Sequence, residues 1–365
     1  MKRILVILGT RPEAIKMCPV IKELKGRHKT DVKVLSTGQH RDMLDEVLEF
    51  EEVVADYDLS LMKVGQTLSY LTCEILTRIG RILDELLPDF VLVHGDTVTA
   101  FAGALAAFYK KIPICHVEAG LRSYDKDNPY PEEFNRSAIS KVATYHFAPT
   151  ELNKENLLRE GISEESIFVT GNTVIDAVKK NISDTYGAQD MPKGDFIILT
   201  AHRRENLGEG MKSIFSAVSE IANDKHIEVV YPVHKNEKIH PLVREAFLGN
   251  KYVKVIPPLR VWDFHNFLAR CKFVITDSGG IQEEAAFLGK PLLITRKVTE
   301  RKELFTNIGA KLVGTDKNEI VSSAKKLIES EEFYKTVSKP SLAFGDGYAS
   351  LRIADVIEGL PIRTH

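Results

Sequence analysis

The chain has 365 residues, of which 44% are hydrophobic and 27% charged, and its formal net charge is −2 at pH 7. This length predicts two domains, because a globular domain usually spans roughly 100–200 residues, and the apolar content is sufficient for each domain to bury a core. The nearly balanced charge excludes a general electrostatic attraction to nucleic acid or to an anionic membrane, so an anionic ligand must be bound by a local site.

The first apolar run, residues 4–8, is too short for a secretory signal and is followed at once by charged residues, so we predict a β-strand there. The longest apolar stretch, residues 91–108, is interrupted by His94 and Asp96, and we expect no membrane-spanning helix. The four cysteines are scattered without paired or zinc-like spacing, which favours reduced thiols. We therefore expect a cytoplasmic protein.

Short apolar runs alternate with amphipathic segments along the first half of the chain. The runs predicted to be buried strands are residues 4–8, 32–35, 91–93, 114–117 and 145–148. The segments between them have helical periodicity, for example residues 12–25, in which apolar side chains recur on one face. This βαβα alternation predicts a parallel sheet covered by helices on both sides.

The same pattern restarts in the second half. Strands are predicted there at residues 196–200, 228–232, 253–256, 273–276 and 292–294. A polar segment at 181–195 marks the end of a connection that begins near residue 170, and residues 348–359 have the pattern of a closing helix. We predict an α/β protein of two Rossmann-like domains with parallel sheets facing a central cleft. The domains are residues 1–170, completed by a C-terminal helix within 348–365, and residues 171–347.

The turn after the first predicted strand carries basic residues next to a helix start. Gly9 permits a tight turn, and Arg11 and Lys16 flank a helix N-terminus, which already favours anions. This turn is neither a dinucleotide fingerprint nor a P-loop. On this segment alone, an ordinary βα turn with two solvated bases is an equally good interpretation.

A stronger phosphate signal follows the predicted strand at 273–276. Ser278, Gly279 and Gly280 open a helix, where glycines let a ligand approach the backbone and unpaired N–H groups can bind phosphate oxygens. Glu284 lies one helical turn further on, within reach of ribose hydroxyls. The alternative is a helix start with no ligand.

Charged or titratable residues also follow other buried strands. Asp96, Glu118 and His202 each stand at or just beyond a predicted strand end, and Glu132 shares a helical face with Arg136. A carboxylate at such a place is unfavourable unless it is solvated, paired or functional. Each residue alone could be a helix cap or a salt-bridge partner, but their recurrence at strand ends favours a site. The remaining histidines show no metal-ligand clustering, so we expect no metal.

Long segments of the chain resemble one enzyme family. The segments, in chain order, are GTRPEAIKM, HGDT, HVEAGLR, PEEFNR, TGNTVIDA, HRREN, YPVH and TDSGGIQEEA. Together they span nearly the whole chain, and they resemble the non-hydrolysing UDP-N-acetylglucosamine 2-epimerases.

The resemblance implies the GT-B-type architecture of one large class of glycosyltransferases, a C-terminal helix that returns to the N-terminal domain, and a homodimer. It also implies reversible epimerisation of UDP-N-acetylglucosamine (UDP-GlcNAc) to UDP-N-acetylmannosamine (UDP-ManNAc), by elimination of UDP to a 2-acetamidoglucal and re-addition. The product would supply cell-surface polysaccharide synthesis. The expected ligands are UDP-GlcNAc and UDP, with no metal or other cofactor.

Carried over by position, the resemblance assigns three groups of residues. The catalytic set is Asp96, Glu118, Glu132 and His202. The substrate-binding set is Arg11, Lys16, Leu259, Phe264, Ser278, Gly279, Gly280, Glu284 and Arg301, of which Leu259 and Phe264 would hold the uracil. A site for a second, activating UDP-GlcNAc would comprise Gln39, Gln66, Arg203 and His234, although Gly65 stands where some relatives have arginine.

Three other functions fit parts of the pattern. A hydrolysing epimerase would release N-acetylmannosamine and UDP, and it is distinguished only by its products. A glycosyltransferase would need an acceptor site, which nothing in the sequence marks. A nucleotide-sugar sensor without catalysis would have no need for the three carboxylates together with His202.

Overall fold

The structure is a computed structural model that describes residues 1–38, 41–61, 65–188, 190–233, 239–307 and 309–362. Of residues 41, 42, 204, 306 and 307 it describes the backbone. The chain divides into two compact units: unit 1 is Met1–Ala177 with Phe344–His365, and unit 2 is Val178–Ala343.

Unit 1 is a parallel sheet flanked by helices. Its strands are β1 (Lys2–Leu8), β2 (Thr30–Ser36), β3 (Tyr57–Asp58), β4 (Phe90–His94), β5 (Ile114–Val117), β6 (Tyr145–Ala148) and β7 (Ile167–Val169). Its helices are α1 (Arg11–Lys25), α2 (Arg41–Phe50), α3 (Leu68–Leu86), α4 (Val98–Tyr109), α5 (Glu132–Val142) and α6 (Glu151–Arg159), and α7 (Thr173–Asn181) crosses into unit 2.

The described strands of unit 1 are ordered β3-β2-β1-β4-β5-β6-β7, with parallel pairing throughout. The central strand β1 is fully buried from Ile4 to Leu8, as expected for a strand covered by helices on both faces. One core cluster joins this sheet to α3 and α4, and it includes Ile7, Val93 and Ile79.

Unit 2 repeats the arrangement. Its strands are β8 (Phe196–Thr200), β9 (Glu228–Pro232), β10 (Val253–Ile256), β11 (Phe273–Thr276), β12 (Leu292–Ile294) and β13 (Ala310–Leu312). Its helices are α8 (Glu209–Lys225), α9 (His240–Phe247), α10 (Val261–Arg270), α11 (Gly279–Phe287), α12 (Leu304–Asn307), α13 (Lys317–Glu329) and α14 (Glu331–Val337). The strand order is β10-β9-β8-β11-β12-β13, again with parallel pairing.

The last helix, α15 (Ala349–Gly359), is anchored in unit 1 at both ends. The Asp176 carboxylate of α7 accepts the backbone amides of Ala349 and Ser350 at 3.1 and 2.8 Å, and so satisfies two amides that the helix itself cannot pair. At the other end, the Lys2 ammonium donates to the Ile357 carbonyl at 2.9 Å, which places a positive charge at the negative end of the helix dipole.

The predicted α/β fold with two parallel sheets is confirmed, and every strand predicted from an apolar run is present. Three strands were not predicted: β3, β7 and β13, each of which lies at an edge of its sheet. The domain boundaries are expected after residues 170 and 347. The boundaries of the compact units lie after Ala177 and after Ala343. Of the helices that the structure describes, none combines the length and apolar character that crossing a membrane requires.

Candidate functional site

The candidate site of unit 1 lies at the carboxyl ends of its central strands. β1 and β4 are neighbours in the sheet, but the chain continues from β1 to β2 on one side and from β4 to β5 on the other. This change of direction opens a crevice at the strand ends, where open parallel sheets bind their ligands. Gly9 follows β1, and a side chain there would collide with the hydroxyl groups of Thr37 and Thr99. The close approach of the Thr37 and Thr99 side chains to the backbone at position 9 therefore requires glycine there.

The buried carboxylate of Glu13 connects two of these turns. It accepts the amides of Gly9 and Thr10 at 2.9 and 2.8 Å and the hydroxyl of Thr97 at 2.6 Å. Burial raises the pKa of Glu13, while the hydrogen bond from Thr97 acts in the opposite direction. Because Glu13 occupies these two amides, they are not available to an anion at the start of α1, where Arg11, the first residue of the helix, offers a cationic side chain.

Glu118 directly follows β5 and is enclosed by polar groups. Its carboxylate pairs with Lys16 on α1, accepts the Asn172 amide at 2.8 Å, and lies 3.6 Å from His94 Nε2. The backbone of Glu118 has a φ of +64°, in the left-handed region. A Cβ atom built at Gly95 would lie 3.6 Å from Glu118 Oε1, so this carboxylate packs against the turn that carries Asp96.

Asp96 follows β4 and is held by two residues of α5. Its carboxylate pairs with the guanidinium of Arg136, and its backbone carbonyl accepts the Asn135 side-chain amide at 2.8 Å. Arg136 is buried, and its other terminal nitrogen lies 3.2 Å from the carboxylate of Glu133. The structure therefore joins Asp96 to α5 through a chain of charged groups.

The adjacent acids Glu132 and Glu133 at the start of α5 differ in environment. Glu133 is buried, pairs with Arg136, and accepts the amides of Ser123 and Tyr124 at 3.0 and 2.9 Å. Through these contacts Glu133 holds the loop that follows β5. Glu132 is only half-buried and is therefore the more accessible of the two acids.

In unit 2, Asp277 organises the turn after β8. This fully buried carboxylate accepts the amides of His202 and Arg203 at 3.0 and 2.9 Å and the Asn206 side-chain amide at 3.1 Å. The His202 ring remains half-exposed, with Nδ1 3.6 Å from Asp277. Burial lowers the pKa of His202, while the charge of Asp277 opposes this effect. A neutral ring suits hydrogen bonding to a ligand near pH 7.

The glycine-rich start of α11 lies at the end of β11, beside β8 in the sheet. The Ser278 amide donates to Thr276 Oγ1 at 2.9 Å. Within the part of the chain that the structure describes, the Ser278 side chain makes no cap hydrogen bond to α11. The first amides of a helix have no partner in the helix itself, so Gly279 and Gly280 present backbone donors suited to an anion.

Arg301 lies against this helix start. Its guanidinium donates to Glu283 and to Glu300 at 2.6 Å each, and a Cβ atom built at Gly279 would lie 2.8 Å from its Nη1. Arg301 therefore supports the glycine turn directly, and glycine at 279 leaves room for the guanidinium.

The remaining substrate-binding candidates of unit 2 are near α10 and on α11. Leu259 is half-buried in the segment before α10, and Phe264 is half-buried on that helix. Glu284, on α11, is 9% exposed, and its Oε2 lies 3.7 Å from Nε2 of His265, the neighbour of Phe264.

Within each unit the structure brings several of the sequence-predicted residues together. Lys16 contacts Glu118, which packs against the turn bearing Asp96, and Arg203 joins His202 on Asp277. Of the residues expected at an activating site, Gln66 lies just before α3, whereas Gln39 and His234 lie outside the described residues. Among the described residues, no group of three or more histidine, cysteine, aspartate or glutamate side chains could hold a metal ion.

Several residues of these sites lie in the segments that carry the resemblance but were not assigned a role from the sequence. Asp277 stands beside the predicted Ser278, but its partners are more than 70 residues away. Asn172 reaches Glu118 from a similarly distant segment. From the sequence, Glu133 could be recognised only as one of two adjacent acids. Its spacing of about one helical turn from Arg136 indicated that the two side chains could pair.

The chain is similar to known proteins along nearly its whole length. A sequence profile described as UDP-N-acetylglucosamine 2-epimerase matches residues 22–358. The UDP-N-acetylglucosamine 2-epimerase of Bacillus subtilis (strain 168) is 47% identical over 357 residues, which cover 97% of this chain and 94% of that protein.

Two solved structures have the same fold. The S. aureus MnaA structure with UDP has a TM-score of 0.93 and 47% identity, covering 98% of this chain and 96% of that chain. The Neisseria meningitidis UDP-GlcNAc 2-epimerase bound to UDP-GlcNAc has a TM-score of 0.92 and 42% identity, covering 99% of this chain and 100% of that chain. These similarities confirm the expected family, and the chain belongs to the UDP-N-acetylglucosamine 2-epimerases.

Proposed function

We propose that this protein interconverts UDP-GlcNAc and UDP-ManNAc without net hydrolysis. Membership of the epimerase family supports the reaction, and two similar structures were determined with UDP and with UDP-GlcNAc. The observation that carries the proposal is the pair of carboxylates, Asp96 and Glu118, at the ends of neighbouring strands, each paired with a buried cation.

The chemistry of the substrate explains why several acids are needed. C2 of the sugar has no adjacent carbonyl, so simple removal of its proton would leave an unstabilised carbanion. In the proposed reaction the C2 proton goes to a carboxylate while the C1–O bond breaks and its electron pair leaves with UDP. UDP then adds back to the resulting 2-acetamidoglucal, and C2 takes a proton on its opposite face. We assign these proton transfers to Asp96, Glu118 and Glu132 as a set.

Charge develops on the departing diphosphate as the C1–O bond breaks. Fixed donors lower the energy of such a transition state, because they need no reorganisation during the reaction. Arg11, His202 and the amides at the start of α11 are of the right type. Within unit 2, Asp277 holds His202 by its backbone and leaves the ring half-exposed, which supports this role.

The nucleotide is assigned to unit 2 and part of the sugar diphosphate to α1 of unit 1. We propose that Leu259 and Phe264 hold the uracil and that Glu284 binds ribose hydroxyls. Phosphate would be bound at Ser278, Gly279 and Gly280, supported by Arg301. The other assigned contacts are Arg11 and Lys16.

Product analysis tests the proposal and separates it from a hydrolysing epimerase and from a glycosyltransferase. After incubation with UDP-GlcNAc, proton NMR should show UDP-ManNAc accumulating to a constant ratio while free UDP stays at its starting level. A hydrolysing epimerase would instead yield N-acetylmannosamine and UDP in equal amounts, and a glycosyltransferase would release UDP only when an acceptor is added. Either result would overturn the proposal.

Three further expectations stay predictions from the resemblance. These are the homodimer, the use of the product in cell-surface polysaccharide synthesis, and activation by a second UDP-GlcNAc. The residues assigned to the activating site are Gln39, Gln66, Arg203 and His234.

A further inference from the structure

Helix α10 carries a fully buried histidine, His265, that no step of the proposed reaction uses. Its Nε2 lies 3.7 Å from Oε2 of Glu284 on α11, and its Nδ1 lies 3.1 Å from the side-chain nitrogen of Asn181 at the end of α7. The ring therefore stands between an amide and a carboxylate, both of them within unit 2.

The chemistry of the two neighbours determines which ring nitrogen carries the proton. An amide NH2 group can only donate, so His265 Nδ1 must accept from Asn181. In the neutral ring the proton is then on Nε2, which lies 3.7 Å from Glu284 Oε2, close enough for electrostatic attraction but longer than a direct hydrogen bond. The opposite tautomer would place an N–H group against the amide NH2 and a lone pair against the carboxylate, which is unfavourable at both ends.

Asn181 is itself held in place by α10. The Asn266 side-chain amide donates to the Asn181 backbone carbonyl at 2.7 Å, and the side-chain Oδ1 of Asn266 accepts the Ser183 backbone amide at 3.1 Å. The donor to His265 is thus fixed by the backbone that carries it. A histidine oriented in this way presents one N–H group in a fixed direction to the neighbouring carboxylate.

The two oxygens of Glu284 face different groups. Oε2 faces His265, whereas Oε1 lies 3.9 Å from a Cβ atom built at Gly280, on the side of the glycine turn. Since Glu284 is only 9% exposed, its charge must be compensated by neighbouring donors. With Oε2 facing His265, Oε1 faces Gly280 at the start of α11.

We propose that His265, oriented by Asn181, is a positioning residue for Glu284 and thereby sets the selectivity of unit 2 for a ribose carrying its hydroxyl groups. This inference rests on the proposed binding of UDP. It extends that proposal by naming the residues that orient Glu284 for recognition of the ribose hydroxyl groups.

The test compares UDP with 2′,3′-dideoxyuridine diphosphate, which lacks both hydroxyls, by isothermal titration calorimetry. The wild-type enzyme should bind UDP at least about 10-fold more tightly, because hydrogen bonds to a charged group are involved. His265→Asn should lose most of this preference, since asparagine can reach Asn181 but not Glu284. His265→Gln, which is one methylene longer and can donate to Glu284, should restore it.

Glu284→Gln and the double variant with His265→Asn complete the cycle. If His265 acts through Glu284, the double variant should discriminate no less than Glu284→Gln alone, because the two effects are not additive. His265→Asn should also raise KM with little change in kcat, as expected when ground-state and transition-state binding weaken equally. Thermal melting of each variant excludes unfolding as the cause.

Several results would overturn the inference. It fails if folded His265→Asn keeps the wild-type preference while Glu284→Gln loses it, or if wild type binds both nucleotides equally. It also fails if His265→Gln behaves like His265→Asn, because reach toward Glu284 would then not matter. Failure of the wild type to bind UDP at all would instead contradict the proposed function.

Discussion

Glu118 adopts a left-handed backbone conformation, which costs a non-glycine residue about 1–3 kcal/mol and persists only where the surroundings enforce it. Its carboxylate is held by Lys16 and Asn172, and Asp96 is held in a comparable way by Arg136. Strain and buried charge at neighbouring strand ends are typical of a site maintained for chemistry. Asp96 and Glu118 are thus each held in place by a buried cation.

Replacing Asp96 by asparagine tests its place in the proposed catalytic set. The asparagine side chain keeps the shape of aspartate but cannot exchange a proton, so turnover of UDP-GlcNAc should fall at least about 10²-fold while UDP still binds. Steady-state kinetics and calorimetry measure the two effects. Asp84→Asn is a matched control, because Asp84 is exposed and paired with Lys110 at the surface. Near-normal turnover in Asp96→Asn would remove Asp96 from the set.

His116 should make the stability of unit 1 depend on pH. Its Nε2–H donates to the Gly95 carbonyl at 2.7 Å, and burial lowers the pKa of His116 to about 3. Below pH 6.5 the unfolded chain binds a proton there that the folded chain does not. This contribution to the free energy of unfolding is therefore intact above pH 6.5 and decreases as the pH falls toward 3, by about 2 kcal/mol at pH 5.

Glutamine at position 116 removes this proton uptake and keeps an N–H donor. Urea unfolding at pH 7 and pH 5 should show that His116→Gln loses about 2 kcal/mol less than wild type over this interval. Equal losses in the two proteins would contradict a neutral, buried His116.

Much of the residue-level site was predictable, because apolar strands that run directly into Asp96, Glu118 or His202 are visible in the sequence. The partners that hold these residues were not. Arg136 lies 40 residues from Asp96, and the strand order that brings them together depends on packing of the whole sheet. His265 lies among the apolar residues of α10, and nothing local distinguishes it from a packing residue.

Helix α1 follows β1 in unit 1, and helix α11 follows β11 in unit 2. The two helices differ in which groups accept hydrogen bonds from the backbone amides at their starts. The amides before α1 are occupied by Glu13, whereas α11 begins with Ser278, Gly279 and Gly280 and, in the described structure, receives no cap from the Ser278 side chain. The dipole of α11 also favours negative charge at this end. Of the two helix starts, that of α11 is therefore better suited to binding phosphate than that of α1.

Substitutions at the two glycines of α11 should have opposite effects on stability. Alanine at 279 places a methyl group 2.8 Å from Arg301 Nη1, and the guanidinium cannot move away without breaking its contacts with Glu283 and Glu300. Overpacking of this kind lowers the free energy of unfolding by about 1–3 kcal/mol.

Gly280→Ala is the matched variant. The nearest atom to its methyl group would be Glu284 Oε1 at 3.9 Å, so alanine should be tolerated and should stabilise the helix by up to about 1 kcal/mol. Urea unfolding of both variants measures the difference. Equal stability of the two would show that Arg301 is not fixed against Gly279.

The strands that the sequence did not predict share one property. β3 and β7 are the outer strands of the first sheet, and β13 is an outer strand of the second. They are two or three residues long, and β13 is largely exposed. An edge strand pairs on one side only and needs no long apolar run. The central strands are buried on both faces, so they can be recognised in the sequence as continuous apolar runs.

The two units share one strand order, to which unit 1 adds a seventh strand. In each unit the order of connection changes side between two central strands, β1 and β4 or β8 and β11, and candidate residues such as Asp96 and His202 follow one of these strands. Unit 1 supplies carboxylates suited to moving a proton, and unit 2 supplies His202 and the glycine-rich helix start suited to holding a diphosphate. Elimination and re-addition of UDP requires both kinds of group.

The most direct test of this account follows the hydrogen at C2. The enzyme is incubated with UDP-GlcNAc in heavy water, and the nucleotide sugars are analysed by NMR and mass spectrometry. We predict UDP-ManNAc with one deuterium at C2, because the proton that C2 takes on its opposite face comes from a second acid that has exchanged with the solvent. Asp96→Asn, assayed alongside, should incorporate deuterium at least about 10²-fold more slowly. UDP-ManNAc that retains its original hydrogen at C2 would contradict proton removal at that carbon, and with it the proposed mechanism.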